Sequence, residues 1–267
     1  MHPHLFSIGP LDIRSYGTMM ALGLLAGVLL VRFRSRRRGQ DPDAVVDLCV
    51  FVFIAGLLGA RLLHVALALP YYMEEPLRLV KFWEGGLAFF GGPALAIPAG
   101  VWRMKRVGLP FWRTADTIVP SLALAHALGR VGCLLNGCCY GVACDLPWAI
   151  RFHNPLSVAG SEIGSVAVHP TQIYSLLGLL ILLGILLSLD RARGPARPAR
   201  PDGAVFCVYL IGYGLLRFAV EFVRADTPGW RLLALSPGQW ASLAMLLAGV
   251  FLLMARMQSA SREATEP

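Results

Sequence analysis

The sequence predicts an all-α fold, a polytopic membrane bundle of seven transmembrane helices. The composition is the first reason: 56% of the 267 residues are hydrophobic, 15% are charged and the mean hydropathy is +0.62, which is too apolar for an ordinary soluble domain. The second reason is a series of apolar runs that approach the roughly 20 residues a helix needs to cross a bilayer core. We place the spans at 16–31, 45–67, 87–101, 114–135, 170–189, 204–223 and 240–254.

The distribution of basic residues predicts the orientation of this bundle. Most of the 24 Lys and Arg residues lie in the loops that follow the first, third and fifth spans, or at the C-terminal end. Cytoplasmic loops of membrane proteins carry such an excess, so we expect the N-terminus outside and the C-terminus in the cytoplasm. The formal net charge of +8 is explained by this topology, and nucleic acid is not an expected partner.

The chain is predicted to form a single integral membrane domain over residues 1–267. Residues 142–168 are polar and contain several Gly and Ser residues, and we expect them to form a small extracytoplasmic head. Residues 190–202 contain three prolines and are expected to form a cytoplasmic linker. The first span should stay in place, because residues 1–17 lack the basic segment that begins a cleavable signal.

Arg130 is a cation within residues 125–141, a segment that begins as the end of an apolar, membrane-embedded helix and finishes in glycine-rich backbone. An arginine at the centre of a membrane helix costs about 3 kcal/mol on insertion scales, so its presence indicates a function or a buried partner. Arg61 is a second such cation, near the outer end of the second span. For Arg61 the sequence leaves two readings open: the side chain reaches the interface, or it serves a site.

The sixth span carries three further charges, Arg217, Glu221 and Arg224, spaced by four and three residues. They share one helix face and can pair as a ladder, either as a self-satisfying network or as part of a ligand site. With Arg130 they converge toward the outer half of the bundle. Arginine binds phosphate oxygens through two N–H groups at once, so an anionic phospholipid head group is the predicted ligand. The polar residues expected nearby are Asn136, His169, Gln172 and Tyr174.

Four of the six cysteines lie between positions 133 and 144, in a region predicted to face outward. A disulfide is possible there in an oxidising compartment. There is no Cys-x-x-Cys pair, and adjacent cysteines are poorly placed to bridge one another, so the sequence predicts no metal site and favours tight packing as the role of these residues. The four are Cys133, Cys138, Cys139 and Cys144.

Four motifs, in order along the chain, carry a family resemblance. They are Trp-x-Gly-Gly-x-x-Phe-x-Gly-Gly at 83–92, Gly-Arg-x-Gly with a following Asn-Gly and Gly at 129–141, His-Pro-x-Gln-x-Tyr at 169–174, and Gly-Tyr-Gly-x-x-Arg-Phe-x-x-Glu-x-x-Arg at 212–224. Their combination resembles the prolipoprotein diacylglyceryl transferase family over nearly the whole chain. The resemblance implies a multi-pass enzyme of the bacterial inner membrane, with its active site toward the outer leaflet.

The resemblance also implies the reaction and several site residues. The family moves the diacylglyceryl group of the membrane lipid phosphatidylglycerol onto the lipobox cysteine thiol of prelipoprotein signal peptides and releases glycerol phosphate; no cofactor is expected. On the matching positions Arg130 is the arginine that binds phosphatidylglycerol, and Arg217 is a second essential arginine. Further substrate-binding candidates are Tyr16, Asn136, Gly141, Gln172, Tyr174, Glu221 and Arg224.

The chain departs from the family pattern at positions tied to proton transfer. Phe90 stands where well-studied members have a histidine, and Cys133 and Cys138 stand where they have an asparagine and a glutamate. Ser175 replaces a glutamate after Tyr174. His169 is then the nearest candidate in the sequence for a catalytic base.

These departures keep two alternatives to the transferase open. One is a catalytically silent relative that binds anionic phospholipid or lipoprotein signal peptides without modifying them. The other is a membrane thiol-redox protein that uses the clustered cysteines.

Overall fold

A computed structural model describes residues 2–8, 11–81, 85–191, 200–225 and 231–265. The chain divides into two compact units. Met1–Leu30 and Ala115–Pro267 form the first unit, and Val31–Thr114 form the second. The grouping of all 267 residues into one domain stays a prediction.

The described part of the chain is mainly helical, as predicted. A short antiparallel hairpin, β1 (His4–Ile8) and β2 (Leu11–Arg14), precedes the first helix and was not expected from the sequence. The helices are α1 (Ser15–Arg37), α2 (Pro42–Leu67), α3 (Leu69–Glu74), α4 (Gly91–Val107), α5 (Phe111–Asn136), α6 (Val158–Glu162), α7 (Thr171–Arg191), α8 (Ala204–Glu221) and α9 (Pro237–Thr265), with a 3-10 helix at Pro76–Val80.

Among the described residues, six helices are long and apolar enough to cross a membrane: α1, α2, α5, α7, α8 and α9. They occupy six of the seven predicted positions. At the remaining one, α4 has 17 residues and contains Pro98. A helix of that length covers about 26 Å, at the lower limit for a bilayer core. The seventh span and the orientation therefore stay predictions.

In the first unit, α1 and α5 approach each other closely at glycines. A Cβ added to Gly23 would lie 2.9 Å from the carbonyl oxygen of Ala125, and one added to Gly132 would lie 3.0 Å from Cβ of Met19. Small residues permit this separation between membrane helices, which larger side chains would prevent. The packing brings the beginning of α1 beside the end of α5, where Arg130 lies.

A hydrophobic core joins α5, α7 and α8. Its buried members are Val119, Ala123, Leu182, Leu186, Val205 and Tyr209. A buried carboxylate adds a polar link between α5 and α8. Asp116 accepts hydrogen bonds from the backbone N–H groups of Gly203 (3.0 Å) and Phe206 (2.8 Å) at the beginning of α8. A carboxylate satisfies the otherwise unpaired N–H groups of a helix N-terminus and is favoured by the helix dipole.

In the second unit, Arg61 is enclosed by backbone carbonyl groups. Only 5% of the residue is exposed. Its guanidinium donates to the carbonyl oxygens of Leu79 (3.2 Å), Gly85 (2.5 Å) and Gly86 (3.0 Å), and also to those of Arg78 and Lys81. Arg61 therefore holds the segment between α3 and α4 against α2. This structural role differs from both interpretations of the sequence, in which the side chain reaches the interface or serves a site.

The helices α2 and α4 of the second unit also meet at glycines. Gly91→Ala is expected to lower the melting temperature, because the added Cβ would lie 2.2 Å from the carbonyl oxygen of Gly59 and 2.6 Å from Cβ of Leu63. Overpacking of this kind costs about 1–3 kcal/mol. Thermal unfolding of the purified protein in detergent measures the change. Gly92→Ala is the matched control, since its Cβ would lie 3.5 Å from the Gly56 oxygen. Equal melting temperatures for the two variants would contradict this account of the packing.

Candidate active site

Arg130 lies in the last turns of α5, partly buried, with His126 one turn before it. Its Nη2 donates a hydrogen bond to Nε2 of His126 at 3.0 Å. Its Nε is buried and has no hydrogen-bond partner in the described part of the chain. An unsatisfied buried donor costs about 1–3 kcal/mol, so this guanidinium is suited to bind a further acceptor.

His126 orients this arginine and was missed in the sequence analysis. Because arginine has only donors, the imidazole Nε2 must accept, and the ring is neutral. The ring centroid lies 5.3 Å from that of Tyr213 on α8, and the imidazole also interacts electrostatically with Arg217. The available signal was its position four residues before Arg130, on the same helix face.

The predicted ladder at the end of α8 is confirmed. Arg217 forms an ion pair with Oε2 of Glu221, and Nε of Arg224 lies 4.0 Å from the same oxygen. The Glu221 side chain is 3% exposed. A buried carboxylate with an adjacent guanidinium is held firmly, because removing either partner leaves a charge in a low-dielectric environment.

The second oxygen of Glu221 is bound at the beginning of α9. Ser236 donates its hydroxyl to Oε1 at 2.8 Å. A Cβ on Gly238 would lie 2.4 Å from this oxygen, so a larger residue there would displace the carboxylate from its present position. The N-terminal end of a helix favours negative charge. Glu221 thus links α8 to α9 and directs Arg217.

The two central arginines belong to one electrostatic cluster. Arg217 interacts with Arg130 as well as with Glu221, Arg224 and Tyr213. Among the described residues, Arg130 forms no ion pair with a carboxylate, and its nearest hydrogen-bonding neighbour is the neutral His126. Glu221 pairs with Arg217 and Arg224 and not with Arg130, so the three arginines carry an excess of positive charge, as a phosphate ligand requires.

The loop after α5 is clamped between two other segments. The backbone N–H of Gly141 donates to the carbonyl oxygen of His169 (3.1 Å), and that of Val142 donates to the carbonyl oxygen of Val223 (2.9 Å). A Cβ on Gly141 would lie 2.5 Å from Cβ of His169 and 2.7 Å from the Val223 oxygen. Gly141 is therefore required because three segments meet there.

Two side chains at the beginning of α7 hold the same loop. The amide of Gln172 donates to the carbonyl oxygen of Cys138 at 2.8 Å, and the hydroxyl of Thr171 donates to that of Cys139 at 2.6 Å. Both side chains are almost completely buried. Gln172, which the sequence predicts to bind substrate, therefore forms its hydrogen bond with the backbone of this loop.

His169, the predicted base, lies just before α7, next to residues 142–168 of the predicted head. Its Nδ1 is 3.3 Å from the hydroxyl of Tyr174, which also accepts a hydrogen bond from Nε1 of Trp148 at 2.8 Å. In the described part of the chain no hydrogen bond joins His169 to Arg130 or Arg217. Tyr174 therefore orients His169 at the border between the head and α7.

Tyr16 and Asn136 complete the set of predicted residues. Tyr16 is 41% exposed at the beginning of α1, and its phenol interacts electrostatically with Arg130. Asn136 ends α5 and its side chain interacts with the thiol of Cys138. The structure thus brings Tyr16, Arg130, Arg217, Glu221 and Arg224 into one cluster, with Asn136 at its edge.

Three thiols converge beside this cluster, which the sequence analysis did not predict. The sulfur atoms of Cys133, Cys138 and Cys139 all lie within 4.8 Å of one another, and all three cysteines are free. Hydrogen bonds with the thiols of Cys133 and Cys138, together with the charges of Arg224 and Arg130, lower the pKa of Cys139 well below its usual range. Cys144 lies apart from them, in the head.

Comparisons with known proteins decide the family. A family model described as prolipoprotein diacylglyceryl transferase matches residues 3–255. The chain belongs to this family. A relative from Cupriavidus necator is 38% identical over 257 residues, covering 93% of this chain and 90% of the relative. One from Geobacter sulfurreducens is 38% identical over 256 residues (93% and 92%), and one from Synechococcus elongatus is 37% identical over 228 residues (84% and 78%). All three are named phosphatidylglycerol–prolipoprotein diacylglyceryl transferase.

The departures from the pattern of the transferase family fall in both units. Phe90 is 57% exposed at the beginning of α4 in the second unit, and its ring packs edge-on against Phe89. A phenyl ring cannot accept a proton from a thiol. In the first unit, the two replaced polar positions are Cys133 and Cys138, which join Cys139 in the thiol cluster. The site of this transferase family member is therefore richer in sulfur than the family resemblance implies.

The hydrogen bond between His126 and Arg130 predicts a positioning role that mutation can test. His126→Leu is expected to lower kcat/KM by about tenfold, since a net loss of about 1.5 kcal/mol is typical for a hydrogen bond to a charged group. His126→Gln retains an acceptor and should recover most of the rate. The measurement is initial rates with phosphatidylglycerol vesicles and a cysteine peptide. If the two variants behave alike, the hydrogen bond does not position Arg130.

Proposed function

We propose that this chain transfers the diacylglyceryl group of phosphatidylglycerol to the cysteine thiol in the lipobox of prelipoprotein signal peptides, forming a thioether and releasing glycerol phosphate. One observation carries the proposal: Arg130 presents a buried donor with no partner among the described residues, next to Arg217. This is the arrangement that a phosphate head group would satisfy. The names of the relatives support the same substrates.

The arginines are proposed to act on the leaving group. The acceptor sulfur attacks the glyceryl carbon, and the bond from that carbon to the phosphate oxygen breaks. Negative charge then develops on the departing phosphate. Donors that are held in place before the reaction stabilise such charge without a cost of reorganisation, and losing one typically lowers the rate about 10²–10³-fold. His126 and Glu221 hold Arg130 and Arg217 in this way.

The acceptor must lose its proton before or during the attack, because the thiolate is the nucleophile. We propose His169 as the group that receives the proton, with its ring oriented by Tyr174. A general base contributes about 10²–10⁴-fold, so the reaction would be slower without it but would still proceed. His169→Ala is therefore expected to lower the rate by a factor comparable to that of losing one phosphate-binding arginine.

The remaining residues are proposed to shape the lipid site. Tyr16 would contact the head group from α1, and Arg224 would support Glu221 from the other side. Asn136, Gly141, Gln172 and Tyr174 would act by holding the loop 138–142 and the head in position, as their contacts indicate.

We propose that the protein is a single, seven-span domain of the bacterial inner membrane with the site toward the outer leaflet. The alternating basic loops support this orientation. Residues 142–168 would then lie outside, and residues 190–202, most of which fall outside the described part of the chain, would lie in the cytoplasm. A membrane-impermeant maleimide tests the orientation in intact cells. Labelling that is lost in Cys144→Ser supports an external head; labelling of Cys144 only after lysis contradicts it.

Mass spectrometry tests the reaction directly. The purified protein is incubated with phosphatidylglycerol vesicles and a lipobox peptide, and the expected product carries one diacylglyceryl group on its cysteine. A peptide with serine in place of that cysteine, and vesicles of phosphatidylethanolamine, should give no product. Saturable phosphatidylglycerol binding without any product would instead identify a silent relative.

A further inference from the structure

We propose that Cys133, Cys138 and Cys139 form a binding site for a thiophilic metal ion, Zn²⁺, beside the arginine cluster. The geometry fits three of the four positions of a tetrahedral site. Zinc–sulfur bonds of about 2.3 Å place bound sulfur atoms about 3.8 Å apart. The three sulfur atoms already lie within 4.8 Å of one another, so small side-chain rotations would close the site.

The backbone around the thiols is held in the conformation that the site needs. Cys139 has a positive φ of 60°, which is uncommon for a residue other than glycine. The carbonyl oxygens of Cys138 and Cys139 are fixed by Gln172 and Thr171 from α7. Because α7 and α5 are far apart in the sequence, these hydrogen bonds assemble the cluster only in the folded protein. Metal ligands are commonly oriented by such outer contacts.

The charges around the cluster suit the bound ion. Three thiolates and one Zn²⁺ carry a net charge of −1, which would be costly in a poorly solvated position without compensation. Cys139 interacts electrostatically with Arg224 and Arg130, which supply that compensation. A disulfide would consume only two of the three sulfur atoms, and it would not explain why the third converges on them.

The site would leave one coordination position open. Zinc sites with three protein ligands keep a fourth position for water or substrate, and a thiol that binds zinc is deprotonated. The acceptor in the proposed reaction is itself a thiol. We therefore assign the open position to the lipobox cysteine, an assignment that rests on the proposed function.

With Zn²⁺ bound, the acceptor S–H would displace the water at the open position, and its proton would pass to His169. The sulfur then forms a bond to the glyceryl carbon while the carbon–oxygen bond to phosphate breaks, and the oxygen leaves with the electron pair. No oxidant or reductant is consumed. The thioether product binds zinc more weakly than a thiolate does, which would allow it to leave.

The first experiment measures Zn²⁺ binding by the purified full-length protein in detergent with a phosphine reductant. The protein is stripped with a chelator, reloaded with Zn²⁺, passed through a desalting column and analysed for metal. One Zn²⁺ per chain is expected. Ser substitution at Cys133, Cys138 or Cys139 should weaken binding at least about 100-fold, since each change removes a ligand. Cys144→Ser and Cys49→Ser, which alter cysteines outside the cluster, should bind like wild type.

Co²⁺ serves as a spectroscopic probe that does not depend on the folding of variants. Wild-type protein loaded with Co²⁺ should show a thiolate-to-cobalt charge-transfer band with the intensity of three sulfur ligands. Absence of stoichiometric Zn²⁺ and Co²⁺ uptake, uptake of Cu⁺ alone, or retained binding in the three cluster variants would overturn the zinc site. If neither Zn²⁺ nor Co²⁺ is taken up, the role of the three thiols is packing.

A lipobox peptide then tests the open position. Its addition to Co²⁺-loaded protein should intensify the band by about one third, from three thiolates to four, while the serine peptide should not. No change with the cysteine peptide would overturn the assignment of the acceptor. The transfer assay separates this result from the proposed function. If metal-free protein forms product, zinc has no role in the reaction, but the transferase function stands. If the peptide binds to the metal and no product forms, the metal site stands, but the transferase function is contradicted.

Discussion

Arg130→Lys is expected to lower kcat/KM for phosphatidylglycerol by at least about 100-fold, although the charge is kept. An ammonium group carries its three donors on one nitrogen, so it cannot reproduce the planar two-pronged contact with phosphate while also reaching His126. Loss of one donor that acts on developing charge costs about 2.7–4 kcal/mol in other enzymes, which corresponds to this factor or more. The measurement is the initial rate of peptide modification with increasing phosphatidylglycerol in vesicles.

Arg36→Lys is the matched control for this change. Arg36 is exposed near the C-terminal end of α1, and its replacement should leave the rate unchanged. Melting temperatures of both variants should stay close to that of the wild type, because Arg130 does not form an ion pair with a carboxylate among the described residues. A rate for Arg130→Lys within about twofold of wild type would rule out the phosphate contact.

Glu221→Ala is expected both to destabilise the protein and to impair lipid binding. The change leaves Arg217 without its carboxylate partner and Ser236 without its acceptor. Removing one member of a buried ion pair costs about 3–5 kcal/mol. Glu221→Gln keeps the shape of the side chain and the acceptor for Ser236, so the stability of this variant should lie between those of the wild type and Glu221→Ala. Its apparent KM for phosphatidylglycerol should rise, because Arg217 is then held less firmly.

The surface ion pair between Glu75 and Arg78 is the control for Glu221. It has similar spacing along the chain but is partly exposed, with 58% of the Glu75 side chain accessible. Exposed pairs contribute about 0–1 kcal/mol. Glu75→Ala should therefore barely change the melting temperature or the rate. If Glu221→Ala is as mild as Glu75→Ala, the ladder does not hold Arg217 in place.

The positions of the membrane helices could be predicted because they depend on local composition. A bilayer core requires long apolar helices in which every backbone group is paired. Each long apolar run in the sequence therefore predicts a helix without reference to the rest of the chain. The ends were less certain. The helix α1 continues through Arg37 rather than ending near residue 31, because arginine is a good helix former and a basic run does not interrupt a helix.

The pairing at the end of α8 could also be predicted, since Arg217 and Glu221 lie one turn apart on the same helix face and Arg224 follows in the turn after the helix. The partners from other segments could not. Ser236 binds Glu221 from the beginning of α9, and Gln172 binds the loop after α5 from α7. Such contacts depend on how helices pack, and the spacing of residues within one helix does not determine that.

The cysteines show the same limit. The absence of a Cys-x-x-Cys pair made a metal site unconvincing from the sequence. In the folded chain, Cys133 lies on the last turn of α5, and the positive φ of Cys139 turns the loop back so that its sulfur meets the other two. The three sulfur atoms converge because of one uncommon backbone conformation, and no pattern in the sequence predicts that conformation.

The sequence by itself thus determined that this is a polytopic membrane protein with arginines in its apolar spans, and its motifs indicated the family. These properties follow from local hydrophobicity and from residue order. Only the tertiary structure decided that Arg61 is bound by backbone carbonyls, that His126 orients Arg130, and that three thiols share one small volume. Each of these depends on atoms from segments or conformations that the chain brings together only when its helices pack, because hydrogen bonds and metal ligands act over a few ångströms in space whatever their separation along the chain.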